Sequence, residues 1–177
     1  MFSIILATHD SERALVPTLA ALVPGATAGI VREVIVTDGG SRDQTEQVAD
    51  IAGCRFLASA APRGGRLKAA AELARGDWLM FLKPGLVPGV TWIDETIAFT
   101  DAAGDRAAVF AREDGLLQGV LRLVGALPDP DSLIIRKSFY QERGGHRDAA
   151  DPERDLLRRI GRRRLATLRA TATLANI

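Results

Sequence analysis

Trp78, Leu79, Met80, Phe81 and Leu82 form an unbroken apolar run with no polar alternate, and this excludes most of the folds open to the chain. A strand with one wet face alternates. A strand that is apolar at every position is buried on both faces, as in the middle of a parallel sheet covered by helices. Residues 2–7 and 34–37 read as further buried strands, and residues 54–58 as a short one. Helical segments lie between them. Residues 11–23 carry Leu15, Leu19 and Leu22 at helical spacing behind a Ser11 or Asp10 cap, and Pro24-Gly25 is expected to end that helix. Residues 41–52 form a second helix opened by Ser/Asp cap chemistry and ended by Gly53, and residues 67–74 an alanine-rich third that stops at Arg75-Gly76. The order βαβαβαβ predicts a parallel, doubly wound sheet.

The second half is less regular. Residues 90–99 read as a helix, 107–111 as a strand, 116–127 as a helix or irregular segment, and 132–135 as a strand. Residues 137–143 predict a short helix ended by Gly144-Gly145, and residues 151–168 a long, strongly basic helix. No repeat or low-complexity linker divides the 177 residues, so a single domain is expected. Twenty-three Lys and Arg against twenty-two Asp and Glu leave a charge of +1, which argues against a nucleic-acid binder working by bulk charge. The single Cys54 has no disulfide or zinc partner and fits a reducing compartment. Residues 1–8 read as a strand, not an export signal, and no apolar run approaches the ~20 residues of a membrane span. A cytoplasmic protein is the expectation.

Where the second strand ends, Val34-Ile-Val-Thr-Asp-Gly-Gly-Ser-Arg-Asp-Gln-Thr45 turns abruptly at Asp38 onto Gly39 and Gly40. In open α/β sheets ligands bind outside the carboxyl ends of the strands, so Asp38 either meets a ligand or simply forms the turn. No G-x-G-x-x-G follows the first strand, which excludes a dinucleotide-binding oxidoreductase. Asp43 reads as a first-turn acid complementing a helix dipole. Glu12 is either a ligand-side acid or a second such helix acid.

Three segments together resemble the family 2 glycosyltransferases: Ser3-Ile-Ile-Leu-Ala-Thr-His-Asp10, then Glu33 to Thr45, then Ala74-Arg-Gly-Asp-Trp-Leu-Met-Phe-Leu82. They most resemble a small bacterial branch associated with radical-SAM and selenium-related domains. The resemblance covers residues 1–95 and returns faintly over 131–160. It implies a GT-A-like, three-layer α/β/α sandwich with a mostly parallel, Rossmann-like sheet. Residues 1–95 would be the nucleotide-binding half, and 96–177 a shortened acceptor half with a basic C-terminal helix. It also implies a UDP- or GDP-sugar donor, read by Thr8, His9, Asp10, Asp38 and Gly39, and an unknown acceptor hydroxyl. His9 is equally a solvated loop residue.

Basic residues Arg63, Arg66 and Lys68, around Gly64-Gly65, would lie near the diphosphate or form a solvated loop. The family's metal-binding D-x-D should follow the fourth strand, where Mg²⁺ or Mn²⁺ holds the diphosphate. Here Lys83-Pro84-Gly85 stands instead, so Lys83 is a candidate direct partner of the phosphates. Glu113 and Asp114 are the alternative acids for a metal, and a degenerate domain that only binds nucleotides or proteins is the competing reading. The inverting base would be Glu153 or Asp151, although Asp151-Pro-Glu153 is also an ideal helix start. His146 falls where relatives line the acceptor side. Arg158, Arg159, Arg162, Arg163 and Arg164 would form a cationic face on one helix, opposite Leu156, Leu157, Ile160 and Leu165. Such a helix is a solvated face or else suits a peripheral membrane or acidic-acceptor contact.

Overall fold

In the computed structural model, residues 1–112 and 127–175 are described. The strands are β1 (Phe2–Thr8), β2 (Val31–Asp38), β3 (Arg55–Ala58), β4 (Trp78–Leu82), β5 (Leu86–Pro88), β6 (Ala107–Arg112), β7 (Ser132–Arg136) and β8 (Leu165–Leu174). The helices are α1 (Glu12–Thr27), α2 (Thr45–Ile51), α3 (Arg63–Leu73), α4 (Trp92–Ala102), α5 (Lys137–Glu142) and α6 (Pro152–Ile160). One sheet runs β3-β2-β1-β4-β7-β6-β8-β5. The first four strands in that order are mutually parallel, while β7 lies antiparallel to β4 and β6.

The unbroken apolar run behaves as the sequence requires: all five residues of β4 are buried. Successive side chains point to opposite faces. Trp78, Met80 and Leu82 join Ile4, Leu6, Leu15, Leu19 and Leu22 beneath α1. Leu79 and Phe81 join Ile5, Leu67, Phe139, Leu156 and Ile160 beneath α3, α5 and α6. The sandwich is therefore three-layered.

Three expected boundaries are corrected. Helix α1 does not stop at Pro24-Gly25 but runs through both to Thr27. A Cβ on Gly25 would come within 2.5 Å of the Trp92 ring, whose Nε1 donates to the Ala21 carbonyl at 3.2 Å, so this glycine is a packing contact and not a terminator. Helix α2 starts at Thr45 and not at Ser41, because the 41–44 backbone is bonded to the loop after β1. Helix α3 starts at Arg63, four residues early, with Asp148 Oδ1 accepting from Gly65 N at 2.8 Å.

The long basic helix is absent. Helix α6 ends at Ile160, where Gly161 takes φ +81°, and after a short 3₁₀ turn the chain becomes β8. Leu168, Ala170 and Ala172 are buried at alternate positions, which is strand spacing that the arginines masked.

Candidate functional site

The carboxyl ends of β1 and β2 make one corner of the candidate site. Asp38 is 3% exposed, and both of its oxygens are fully engaged. Oδ1 accepts from Thr8 Oγ1 at 2.8 Å and Ser41 Oγ at 2.5 Å; Oδ2 accepts from Gly40 N at 2.8 Å and Ser41 N at 2.7 Å. A carboxylate offers about four acceptor directions, so none is left over. Burial pushes the Asp38 carboxyl up, but the bonds from Ser41, Thr8 and Gly40 outweigh it and hold it below the ordinary carboxylate value. In this geometry Asp38 builds the turn.

The two loops here are sewn together. Arg42 N donates to Asp10 Oδ1, Gln44 N to Glu12 Oε2, Glu12 N to Asp43 Oδ2 and Ser11 N to Thr45 Oγ1. Asp43 and Glu12 thus cap each other's loops. Asp10 pays for its place with a left-handed φ of +46°, which aspartate tolerates better than most residues. His9 stays at the surface, 3.8 Å from Asp10. Beneath the turn, Arg66 is nearly buried and its NH1 donates to the carbonyls of Thr8 at 3.1 Å and Thr37 at 2.7 Å. Gly39 is required above it, since a Cβ there would lie 2.8 Å from Arg66 NH2. Arg66 therefore braces the strand ends. Lys68 points elsewhere, into a separate groove with Glu72 and Gln141 between α3 and α5.

The second corner, at the ends of β1 and β4, opens into a cavity of about 280 Å³. Ala7, Leu67 and Phe81 form apolar wall, while Arg63, Lys83, Asp131, Asp151 and Glu153 bring charge. Each charge has a partner. Arg63 Nε donates to Glu153 Oε1 at 2.6 Å, and Lys83 Nζ lies 3.3 Å from Asp131 Oδ1. Arg112 NH1 reaches Asp131 Oδ2 at 2.9 Å and Asp129 Oδ2 at 3.5 Å. Asp151 caps α6, accepting from Arg154 N at 2.8 Å.

Sequence reasoning thus brought Lys83, Glu153 and Asp151 to one pocket but missed Asp131, Asp129 and Arg112. The visible signal was Asp129-Pro-Asp131 immediately before a strand; what it lacked was the antiparallel pairing of β7 with β4. The expected glycine-turn anion site is occupied from within: Gly64 packs directly against the Arg147 backbone, and Asp148 takes the free N–H of Gly65. His146 does not line an accessible face. It is 1% exposed, bonded through Nδ1 to Tyr140 Oη at 3.0 Å and edge-on to Phe81. Burial pushes its imidazole down to about 3, helped by Arg159 and Arg63, so it is neutral.

The expected cationic helix face is also dispersed. Arg162, Arg163 and Arg164 leave the helix, Arg159 binds Asp155 and two carbonyls, and Leu156, Leu157 and Ile160 are buried in the core. No apolar side remains on α6 to enter a bilayer. Among the described residues no helix is long and apolar enough to cross a membrane.

The sequence profile of glycosyl transferase family 2 matches residues 3–122, from β1 past the end of β6. The chain belongs to this family. No curated protein sequence matches it significantly. Among solved structures, the chain is similar over its whole length to glucosyl-3-phosphoglycerate synthase from Mycobacterium tuberculosis in complex with Mn²⁺, UDP-glucose and phosphoglyceric acid. The TM-score is 0.77 at 18% identity, with 72% of that chain covered. S. aureus TarS 1-349 gives a TM-score of 0.72 at 16% identity, covering 98% of this chain and 60% of that one. At such identities the likeness establishes the GT-A fold.

As a family 2 glycosyltransferase the domain would be expected to hold a divalent metal with acids after β4. The described residues do not fit one there. The position holds the Lys83 ammonium, the nearest carboxylates already neutralise Lys83 and Arg112, and no three metal-ligating side chains come together among the described residues. Glu113 and Asp114 lie outside the described residues.

Proposed function

We propose that this chain transfers a sugar from a UDP- or GDP-sugar to an acceptor hydroxyl, with Lys83 taking the charge that a metal would otherwise carry. The observation that carries the reading is the convergence of Lys83, Arg63 and Glu153 on one pocket at the carboxyl ends of parallel strands, where open α/β sheets bind ligands. In this reading the sugar and diphosphate end of the donor enters the pocket, with the nucleoside reaching toward Gly39 and the Thr8-His9-Asp10 loop. The solved neighbours include complexes with UDP-glucose, which supports a nucleotide-sugar donor here. Because Asp38 is saturated by protein donors, base recognition falls to the backbone and loop groups around it.

In the reaction the acceptor oxygen attacks the anomeric carbon from the side opposite the leaving group, Glu153 takes the hydroxyl proton, and the nucleoside diphosphate departs with its charge against Lys83. Inversion follows from the single displacement. Arg63 holds the Glu153 carboxylate at 2.6 Å, so it fixes the base's position. Both Asp151 oxygens accept from Arg154, one of them as the cap of α6, whereas Glu153 is held through Oε1 alone, so Glu153 is the base in this reading. A second reading, a domain that binds nucleotide without transfer, draws on the absence of acids after β4.

The test is transfer in EDTA. Glu153→Gln should lower kcat by about 10²–10⁴ while donor KM stays near the parent value. Donor binding without any turnover in the parent protein, across sugar and phosphoglycerate acceptors, would favour the binding-only reading.

A further inference from the structure

The Lys83 contact has an asymmetry that bears on how a donor enters. Strand register sets Asp131 beside Lys83: Lys83 N donates to the Asp131 carbonyl at 2.9 Å, one step beyond the Leu82 and Ser132 pair of the antiparallel ladder. The Asp131 side chain is only 14% exposed and serves two cations at once. Its arm to Arg112 is short, 2.9 Å, with the arginine 22% exposed; its arm to Lys83 is longer, 3.3 Å, with the lysine 49% exposed. Arginine in an enclosed pair is rigid and poorly hydrated, whereas a half-exposed lysine is a mobile point charge. One arm is built to stay and the other to leave.

We infer that Asp131 is a positioning residue that parks Lys83 at the pocket rim until a diphosphate displaces it. On entry, a diphosphate carrying two or more negative charges outcompetes the single Asp131 carboxylate for the ammonium. Arg112, which it shares with Asp129, stays bonded to Asp131 after Lys83 has gone, so the carboxylate left behind still has a cation beside it. The latch therefore favours diphosphates over singly charged anions. This inference rests on the reading of Lys83 as the diphosphate's cation.

The experiment is calorimetric titration of UDP and GDP, with uridine and guanosine as phosphate-free controls, in EDTA. The proteins are the parent chain, Lys83→Met, Asp131→Asn and the double variant. Lys83→Met should weaken diphosphate binding by on the order of ten-fold or more. Asp131→Asn should tighten it by about two- to five-fold, the strength of a half-exposed ion pair, and leave nucleoside binding unchanged. In the double variant the gain should vanish, because the latch has nothing to hold. Asp131→Ser repeats the measurement should the asparagine variant lose its fold. Weaker or unchanged binding in the Asp131 variants, with the Lys83→Met loss intact, overturns the latch alone. Parent-like binding by Lys83→Met, or no diphosphate binding by the parent, overturns the Lys83 reading beneath it. Binding that needs Mn²⁺ and is lost in Asp131→Asn makes Asp131 a metal ligand and overturns both.

Discussion

The two corners of the sheet's carboxyl end differ in how their polar groups are satisfied. At the β1/β2 corner, Asp38 accepts four hydrogen bonds, Arg66 lies beneath the turn and the two loops cap one another. The Asp38 carboxylate there is not free to change partners cheaply. At the β4/β7 corner the charges are also paired, yet Lys83 and Arg63 are 49% and 44% exposed and their partners sit at the edge of a cavity. Buried, fully bonded polar groups specify a conformation, whereas half-exposed ion pairs are weak enough to be exchanged. The first corner holds the scaffold, and the second is placed to meet a ligand.

The largest effect expected from breaking this contrast is on stability at the first corner. Asp38→Ala leaves the Thr8, Gly40 and Ser41 donors without their acceptor and should cost about 2–4 kcal/mol in denaturant unfolding. A cost below about 1 kcal/mol would show that the turn does not depend on the carboxylate. A smaller effect is expected beneath the second corner, from His146. Its imidazole is pushed down to about 3 in the fold, chiefly by burial, and titrates near ~6.5 in the unfolded chain. A depressed histidine contributes stability that is present above the unfolded value and lost as pH falls toward the folded one. Stability should therefore decline as pH drops from about 6.5 to about 4.5, before most carboxylates titrate, and His146→Gln should flatten that slope. Equal slopes in both proteins would place the proton uptake elsewhere.

Much of the first half was legible in the sequence because its strands are buried on both faces and its motifs are local. The Ala74-Arg-Gly-Asp77 words that marked the family are explained at the opposite end of the sheet. There Arg75 and Ser3 both bind Glu33, and Gly76 approaches the Ser3 backbone too closely for any Cβ. Burial pushes the Glu33 carboxyl up, but bonds from Arg75 and Ser3 prevail and hold it low. That motif is structural, whatever it signals about ancestry.

What was not legible depended on pairings between distant segments. Asp131 acquires meaning only once β7 is antiparallel to β4, and Gly25 reads as a helix stop until Trp92 is seen against it. The arginines of 158–164 imitate an amphipathic helix because charge hides the switch from helical to alternating spacing at Gly161. Asp38, the most suggestive acid in the sequence, reads there as a ligand group or a turn former. Its geometry assigns it to the turn.

On the proposed reading Lys83 is the diphosphate's cation, within a scaffold that does not depend on it. Lys83→Met should change unfolding stability by less than about 0.5 kcal/mol, the smallest of these effects, since its ion pair is half exposed. The direct measurement is the thermal shift of the parent chain with UDP and GDP in EDTA, repeated with Mn²⁺. A ligand that binds only the folded state raises its melting temperature, so one of the two nucleotides should do so without metal, and Mn²⁺ should add little. A shift that appears only with Mn²⁺ would contradict the account.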